Sequence, residues 1–304
     1  MAEATSPGRL TLPAVAAPVP RPRPGVWSRF RRPRLALVGA ALLGVLVLVA
    51  VLAPLVFSLD PYKVDLRAYR KPPTPEHLLG TDASGRDVLA RLIFGARVSL
   101  SVGVVAVSIY TLLGVGLGAI AGYRGGTVDN VIMRLADIFL AFPRLIIIIT
   151  LASLVGPSIY NVMLIIGLLG WPPIARIVRG MFLSLREREF VVGARVSGAT
   201  DTRIMFRHIV PNVLAPVIVA ATFGMAGAIL LEAGLSFLGL GVQPPMASWG
   251  NMLNAAQSLT ILEGMPWLWL PPGLMIAITV LSLNFVGDGL RDALDPYQTM
   301  SSEK

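Results

Sequence analysis

The sequence predicts an all-α, polytopic membrane protein with about six transmembrane helices. Three observations lead there. Hydrophobic residues make up 55% of the 304-residue chain and charged residues 14%, with a mean hydropathy of +0.72, which is more apolar surface than one soluble core can hide. The apolar residues gather into uncharged runs long enough to cross a hydrocarbon layer, which takes about 20 helical residues. Basic residues between the runs are unevenly shared, as they are in chains held across a bilayer.

Residues 1–34 hold seven arginines and several prolines without apolar periodicity, and read as a flexible basic arm on the cytoplasmic side. Residues 35–59 contain no charge and form the first span. The run continues apolar through Ala53, Pro54 and Leu55, where a secretory signal would offer a small-residue cleavage site, so an uncleaved helix is expected. Residues 60–96 follow as a polar external loop. A second uncharged run, 98–123, is the second span. Gly114, Gly118 and Gly122 recur every fourth residue along it and line one face for close approach of a neighbouring helix. Read as a dinucleotide motif, the same glycines fail, because no strand precedes them.

The uncharged run 145–175 is too long for one span and is interrupted at Gly156, Pro157 and Ser158, which divides it into a third and a fourth helix. The third then begins near Val131 and draws Asp137 and Arg144 into the membrane end, with Pro143 expected to bend it. Charges so placed serve either a structural ion pair near the inner surface or the substrate path. Residues 213–231 supply the fifth span and 264–287 the sixth. Residues 97–296 thus form a five-helix core with a loop at 180–212 and another at 233–269. Segment 176–212 carries seven arginines, whereas 232–270 contains no Lys or Arg, so the first lies in the cytoplasm and the second outside. Six spans leave both termini cytoplasmic, the last residues 297–304 forming a tail. Residues 60–96 oppose the rule with six Lys or Arg against five carboxylates; the rule weakens for longer loops, and parity places them outside.

Several chemistries are excluded. No cysteine occurs, which removes disulfides, thiol nucleophiles and thiolate metal sites. The two histidines, His77 and His208, fall in different loops and offer no zinc site. The formal charge of +9 comes with no groove-reading or base-stacking motif, so nucleic acid is not an expected partner. His-Glu-x-x-His and Gly-x-Ser-x-Gly are absent, so no catalytic residues are assigned and no enzyme activity is expected of the chain.

Segment 184–212 is too polar to span and too regular to be a linker. Apolar residues recur there at near-helical spacing, Gly198 interrupts them, and Thr200 with Asp201 can cap a second helix running to His208. Two short helices meeting at a glycine on the inner membrane surface have little to bury unless another protein receives them. Gly198 either turns the chain tightly for that contact or only ends a helix.

This loop resembles the Glu-Ala-Ala loop of ABC importer permeases, in the version found in dipeptide, oligopeptide and nickel importers. The matching residues are Val192, Gly193 and Ala194, then Gly198 and Pro211; Val192 and Gly193 depart from the acid and the first alanine. Further matches run along the chain: Thr-Asp-Ala-Ser-Gly-Arg-Asp at 81–87, Ala-Gly-Tyr-Arg-Gly-Gly at 121–126, Trp-Pro-Pro at 171–173, Glu-Ala-Gly-Leu-Ser-Phe-Leu-Gly-Leu-Gly-Val-Gln-Pro-Pro at 232–245, Ser-Trp-Gly-Asn-Met at 248–252 and Gly-Asp-Gly-Leu-Arg-Asp-Ala-Leu-Asp-Pro at 287–296.

The resemblance implies a type I importer permease in a bacterial cytoplasmic (inner) membrane. Its partners would be a second homologous permease, two ATPase subunits, an extracytoplasmic substrate-binding protein and a peptide substrate. The chain has no Gly-x-x-x-x-Gly-Lys-Ser/Thr loop, so ATP and Mg would belong to the ATPase subunits and this chain would hold no cofactor or metal. Coupling to the ATPases would fall to Glu189, Ala194, Arg195, Gly198, Ala199, Arg203 and Pro211. Trp249, Asn251, Asn254 and Gln257 would form an external gate or binding-protein contact, although aromatics there also serve as interfacial anchors. Ser101, Asn161 and Asn284 are candidates for the translocation pathway or for interhelical hydrogen bonds. The same architecture would serve nickel chelates or glutathione. A secondary transporter is the alternative from another class, but the expected internal repeat is not found.

Overall fold

The computed structural model describes residues 26–31, 33–56 and 59–294; most of the basic arm 1–34 and all of the tail 297–304 lie outside the described residues. The helices in chain order are α1 (Val26–Phe30), α2 (Arg34–Val56), α3 (Val88–Arg124), α4 (Gly126–Ala141), α5 (Arg144–Val155), α6 (Ile159–Leu169), α7 (Trp171–Leu185), α8 (Glu189–Val196), the single turn α9 (Asp201–Arg203), α10 (Val210–Phe237), α11 (Trp249–Leu253), α12 (Leu259–Gly264) and α13 (Leu270–Leu294). No strand forms among the described residues. Five stretches are long and apolar enough to cross a membrane, and α4 with α5, bent by 86°, makes a sixth when the pair is counted as one span.

Helix α3 starts at Val88, ten residues before the uncharged run expected from the sequence. Asp87 is the reason: its carboxylate accepts the Ala90 N–H at 2.8 Å and closes the first turn. Arg91 and Arg97 are thereby drawn into the helix. Arg91 is only 4% exposed and is satisfied by Asp82 at 3.5 Å and by the Pro245 carbonyl at 3.4 Å. At 37 residues, α3 is about 55 Å long at 1.5 Å per residue.

The glycine stripe of α3 lies against α7. A Cβ on Gly114 would meet Ile174 Cβ at 2.6 Å, one on Gly118 the Ala175 carbonyl oxygen at 2.5 Å, and one on Gly122 Phe182 Cβ at 2.5 Å. No side chain fits at these three positions, so the two backbones approach as the spacing predicts.

Helices α4 and α5 meet at Pro143, where the predicted bend is found as a break of 86°. The bent pair begins at Gly126, earlier than Val131. Asp137 pairs across to Arg176 of α7 at 2.6 Å, and Arg144 instead donates to the Ile166 carbonyl at 3.4 Å. A second pair, Arg179 with Asp129 at 2.5 and 2.6 Å, is bidentate and also joins α7 to α4.

The fifth span differs most from expectation. The helix capped by Thr200 does not stop at His208 but runs on through a π-helical turn, Ile204–Ile209, into α10. Pro211 cannot donate to the carbonyl of residue 207, and the widened turn, in which Val210 N–H reaches Met205 O, takes up that defect without ending the helix. The fifth span therefore covers Asp201–Phe237, 37 residues. His208 accordingly lies in a helix rather than a loop. Glu232, expected from the sequence to end this span, lies within α10 and is wholly buried.

One end of the bundle, the loop face, carries α8 and α9. The other carries residues 59–87 and 238–269, which fold together as a lobe. Trp249, Met252, Ile261 and Leu268 of the lobe share an apolar cluster with Val88, Leu92 and Leu100 of α3.

Candidate coupling site

On the loop face, α8 ends in a left-handed turn. Gly198 has φ +79°, and a Cβ at this position would find nothing within 4 Å, so conformation and not space demands glycine there. The turn is closed by Gly198 N–H to the Arg195 carbonyl and Ala199 N–H to the Ala194 carbonyl, both at 3.0 Å. Thr200 then caps α9 by accepting the Arg203 N–H at 3.4 Å.

The inner side of this hairpin is apolar and sealed. Val191, Ile204 and Ile209 are fully buried, and Met205 nearly so, in one cluster with Val178 and Phe182 of α7. Ala194 and Ala199 pack against the same cluster, so they hold the hairpin to the bundle and do not lie on its free face. Its free side presents Val192 and Val196, 46% and 84% exposed, with Phe190, 45% exposed, on the opposite flank of α8, beside exposed Glu189, Gly193, Arg195 and Arg203. Pro211 is exposed at the start of α10. Val192 and Val196, four residues apart, form one apolar stripe; the sequence carries that signal, but a valine at a position where an acid is expected hides it. Tyr123, at the end of α3, donates its hydroxyl to Asp201 Oδ1 at 2.7 Å and so ties α3 to the hairpin.

In the lobe, Trp249 has no exposed surface and its indole N–H donates to the Leu92 carbonyl at 3.0 Å. This corrects its placing as a surface contact or interfacial anchor: in this conformation it is the plug that fixes α11 to α3. Asn251 closes a capping box with Ser248 and donates to the Met246 carbonyl at 2.6 Å. Asn254 and Gln257 are exposed and both donate to the Phe237 carbonyl at the end of α10. Asn251 and Asn254 also border a cavity of about 290 Å³ lined by Arg70, Arg86, Arg91 and Asp82. Of the pathway candidates, Ser101 bonds its own helix at the Val98 carbonyl and Asn161 bonds the Gly156 carbonyl. Asn284 is half-buried on α13. No hydrogen bond found among the described residues joins any two of the three.

Comparison with known proteins gives this geometry a family. Residues 114–299 match the model of the "Binding-protein-dependent transport system inner membrane component", and residues 24–73 match the "N-terminal TM domain of oligopeptide transport permease C". A chain of Brucella suis biovar 1 (strain 1330), described as a peptide permease protein, is 45% identical over 94% of this chain and 93% of its own. The dipeptide transport system permease protein DppC of Alkalihalophilus pseudofirmus is 43% identical over 89% of this chain and 88% of its own. The oligopeptide transport system permease protein OppC of Bacillus subtilis (strain 168) is 42% identical over 88% and 87%. In fold, the chain resembles an inward-facing MetNI methionine ABC transporter structure with a TM-score of 0.53 and 17% identity, over 67% of this chain and 96% of the other. The secondary-transporter alternative is thereby set aside. With a family model matching well over half of its length, this chain belongs to the binding-protein-dependent transport system inner membrane components, the permease subunits of ABC transporters.

Proposed function

We propose that the chain forms half of a peptide translocation pathway and that its α8–α9 hairpin receives the stroke of a separate ATPase subunit. The observation that carries this is the hairpin's two-sidedness: a sealed inner face locked to α7 and α10, and a free side with the exposed Val192 and Val196 stripe near Arg195 and Arg203. A cleft in the ATPase with acidic walls fits that face. ATP and Mg belong to the ATPase pair, a second related permease completes the pathway, and the loop face is cytoplasmic. On the other side, an acidic residue of the substrate-binding protein fits the arginine-lined cavity of the lobe. Peptides are the cargo by analogy with the named relatives.

The magnitudes are compatible. Driving a two-state equilibrium from 1:99 to 99:1 takes about 5.5 kcal/mol. Full burial of an aliphatic or aromatic side chain contributes about 1.5–3 kcal/mol, so covering the exposed parts of Phe190, Val192 and Val196 yields roughly 3–5 kcal/mol per subunit. Only the part of that burial present in one state and absent in the other drives the shift, so the hairpin must be seated differently in the two states.

The experiment is Gly198→Trp in the complete complex, reconstituted in liposomes with binding protein and a labelled dipeptide. Membrane insertion should be unchanged, while uptake and substrate-stimulated ATP hydrolysis fall at least tenfold. Normal uptake and stimulation in that variant, or a purified complex with no ATPase cross-linking to residues 190–205, refutes the assignment.

A further inference from the structure

Beside the Trp249 plug and the shared apolar cluster, one buried acidic side chain lies where the lobe meets the bundle. Glu232 of α10 is fully buried, and none of the ion pairs found among the described residues includes it. Two serine hydroxyls meet its carboxylate instead. Ser99 of α3 donates to Oε2 at 3.2 Å and Ser236 of α10 donates to Oε1 at 2.8 Å.

Each of these hydroxyls also accepts a backbone N–H of the lobe. Ser99 accepts from Trp249 at 3.1 Å and Ser236 from Val242 at 3.0 Å. The result is two relays, N–H to hydroxyl to carboxylate, converging on one residue. A carboxylate only accepts, so both hydroxyls can point inward and leave their own oxygens free for the amides. A buried carboxylate without a cation is costly unless hydrogen bonds replace its water. The two hydroxyls stand on α3 and α10, and the lobe's amides hold them in that orientation while the lobe is seated.

We propose that Glu232 is the latch of the lobe, a positioning residue whose relays must open when the lobe end of the pathway opens. The layout supplies a reason for it to respond to the hairpin. Helix α3 and the continuous span Asp201–Phe237 touch at both ends, through Tyr123 and Asp201 on the loop face and through Ser99 and Glu232 under the lobe. A change in their mutual angle at the hairpin is therefore felt at the latch. This rests on the coupling reading above, and the test has one arm that does not.

That arm is hydrogen exchange on the intact complex carrying Glu232→Gln. An amide has one acceptor oxygen and its own two donors, so at least one serine must turn round. The amides of Val242 and Trp249 should exchange about tenfold faster, while those in the middle of α3 keep their rate. The second arm is the number of labelled dipeptides moved per ATP, a ratio insensitive to the amount of folded complex; it should fall at least fivefold, with basal hydrolysis raised. Ser99→Ala and Ser236→Ala each remove one relay and should each loosen chiefly the amide they served, which decides the matter if Glu232→Gln fails to assemble. Unchanged exchange at both amides overturns the latch. Faster exchange with an unchanged transport ratio makes Glu232 a structural clamp only and also overturns it. Wild-type complex that moves no dipeptide rejects the cargo, and exchange then still reads the latch.

Discussion

At the residue scale, the pair Asp129 and Arg179 shows how a permease sets charge inside its bundle. Arg179 meets both carboxylate oxygens in a fork, at 2.5 and 2.6 Å, and the Asp129 side chain is 10% exposed against 35% for Arg179. Removing one partner strands the other, which costs about 3–5 kcal/mol for a sealed pair. With a third of Arg179 still in reach of solvent, Asp129→Ala should cost about 2–3 kcal/mol. The double variant with Arg179→Met should recover at least half of that, read as thermal midpoints of the detergent-solubilised protein; strictly additive losses would deny the pairing. The pair is not legible in the sequence, because 50 positions separate its members and only the crossing of α4 and α7 brings them together. Asp137 is conspicuous there, but proximity along the chain suggests Arg144 where the fold supplies Arg176. Gly198 is legible for the opposite reason, since a left-handed turn is a local demand that glycine answers by itself. Trp249 misleads because an aromatic beside a polar loop has the same appearance whether it faces lipid or fills a core.

At the element scale, the interval of four between Gly114, Gly118 and Gly122 is a statement about α7. Gly118→Leu would press against the Ala175 carbonyl and Val178, whose atoms lie 2.5 and 2.8 Å from the added Cβ. Overpacking of that kind costs about 1–3 kcal/mol and more when backbone must move. Gly116 has nothing within 4 Å, so Gly116→Leu controls for helix propensity and bulk. The first variant should lower the thermal midpoint of the purified protein by several degrees and the second leave it near wild type. Equal midpoints would mean that α3 and α7 do not meet along this face. Periodicity makes the helices and this contact readable, while helix ends are not. Charge marks where a run ceases to be apolar, but Asp87 capping and the π-helical turn before Pro211 decide where the hydrogen bonds begin. Both α3 and the fifth span therefore extend well beyond their uncharged runs.

At the scale of the whole molecule, orientation follows from how the charges are used. Residues 60–96 hold six Lys or Arg, which by count alone would draw them toward the cytoplasm. In the folded lobe, Arg86 and Arg91 share Asp82 at 2.8 and 3.5 Å, and His77 lies 2.8 Å from Asp87. Two of the six are thus committed within the fold and are poor topological signals, while Arg188, Arg195, Arg203 and Arg207 all stand exposed on or beside the hairpin. The positive-inside rule then weighs the hairpin more heavily and supports the proposed cytoplasmic placing. The absence of cysteine allows a clean test with single substitutions. Ser197→Cys sits exposed after α8 and Thr260→Cys exposed in the lobe. In intact cells an impermeant maleimide should label Thr260→Cys and leave Ser197→Cys unmodified until the membrane is opened. Uptake must be retained in both, which the exposure of the two sites favours. The reverse pattern would turn the hairpin away from any cytoplasmic ATPase, and the coupling reading would fall with it.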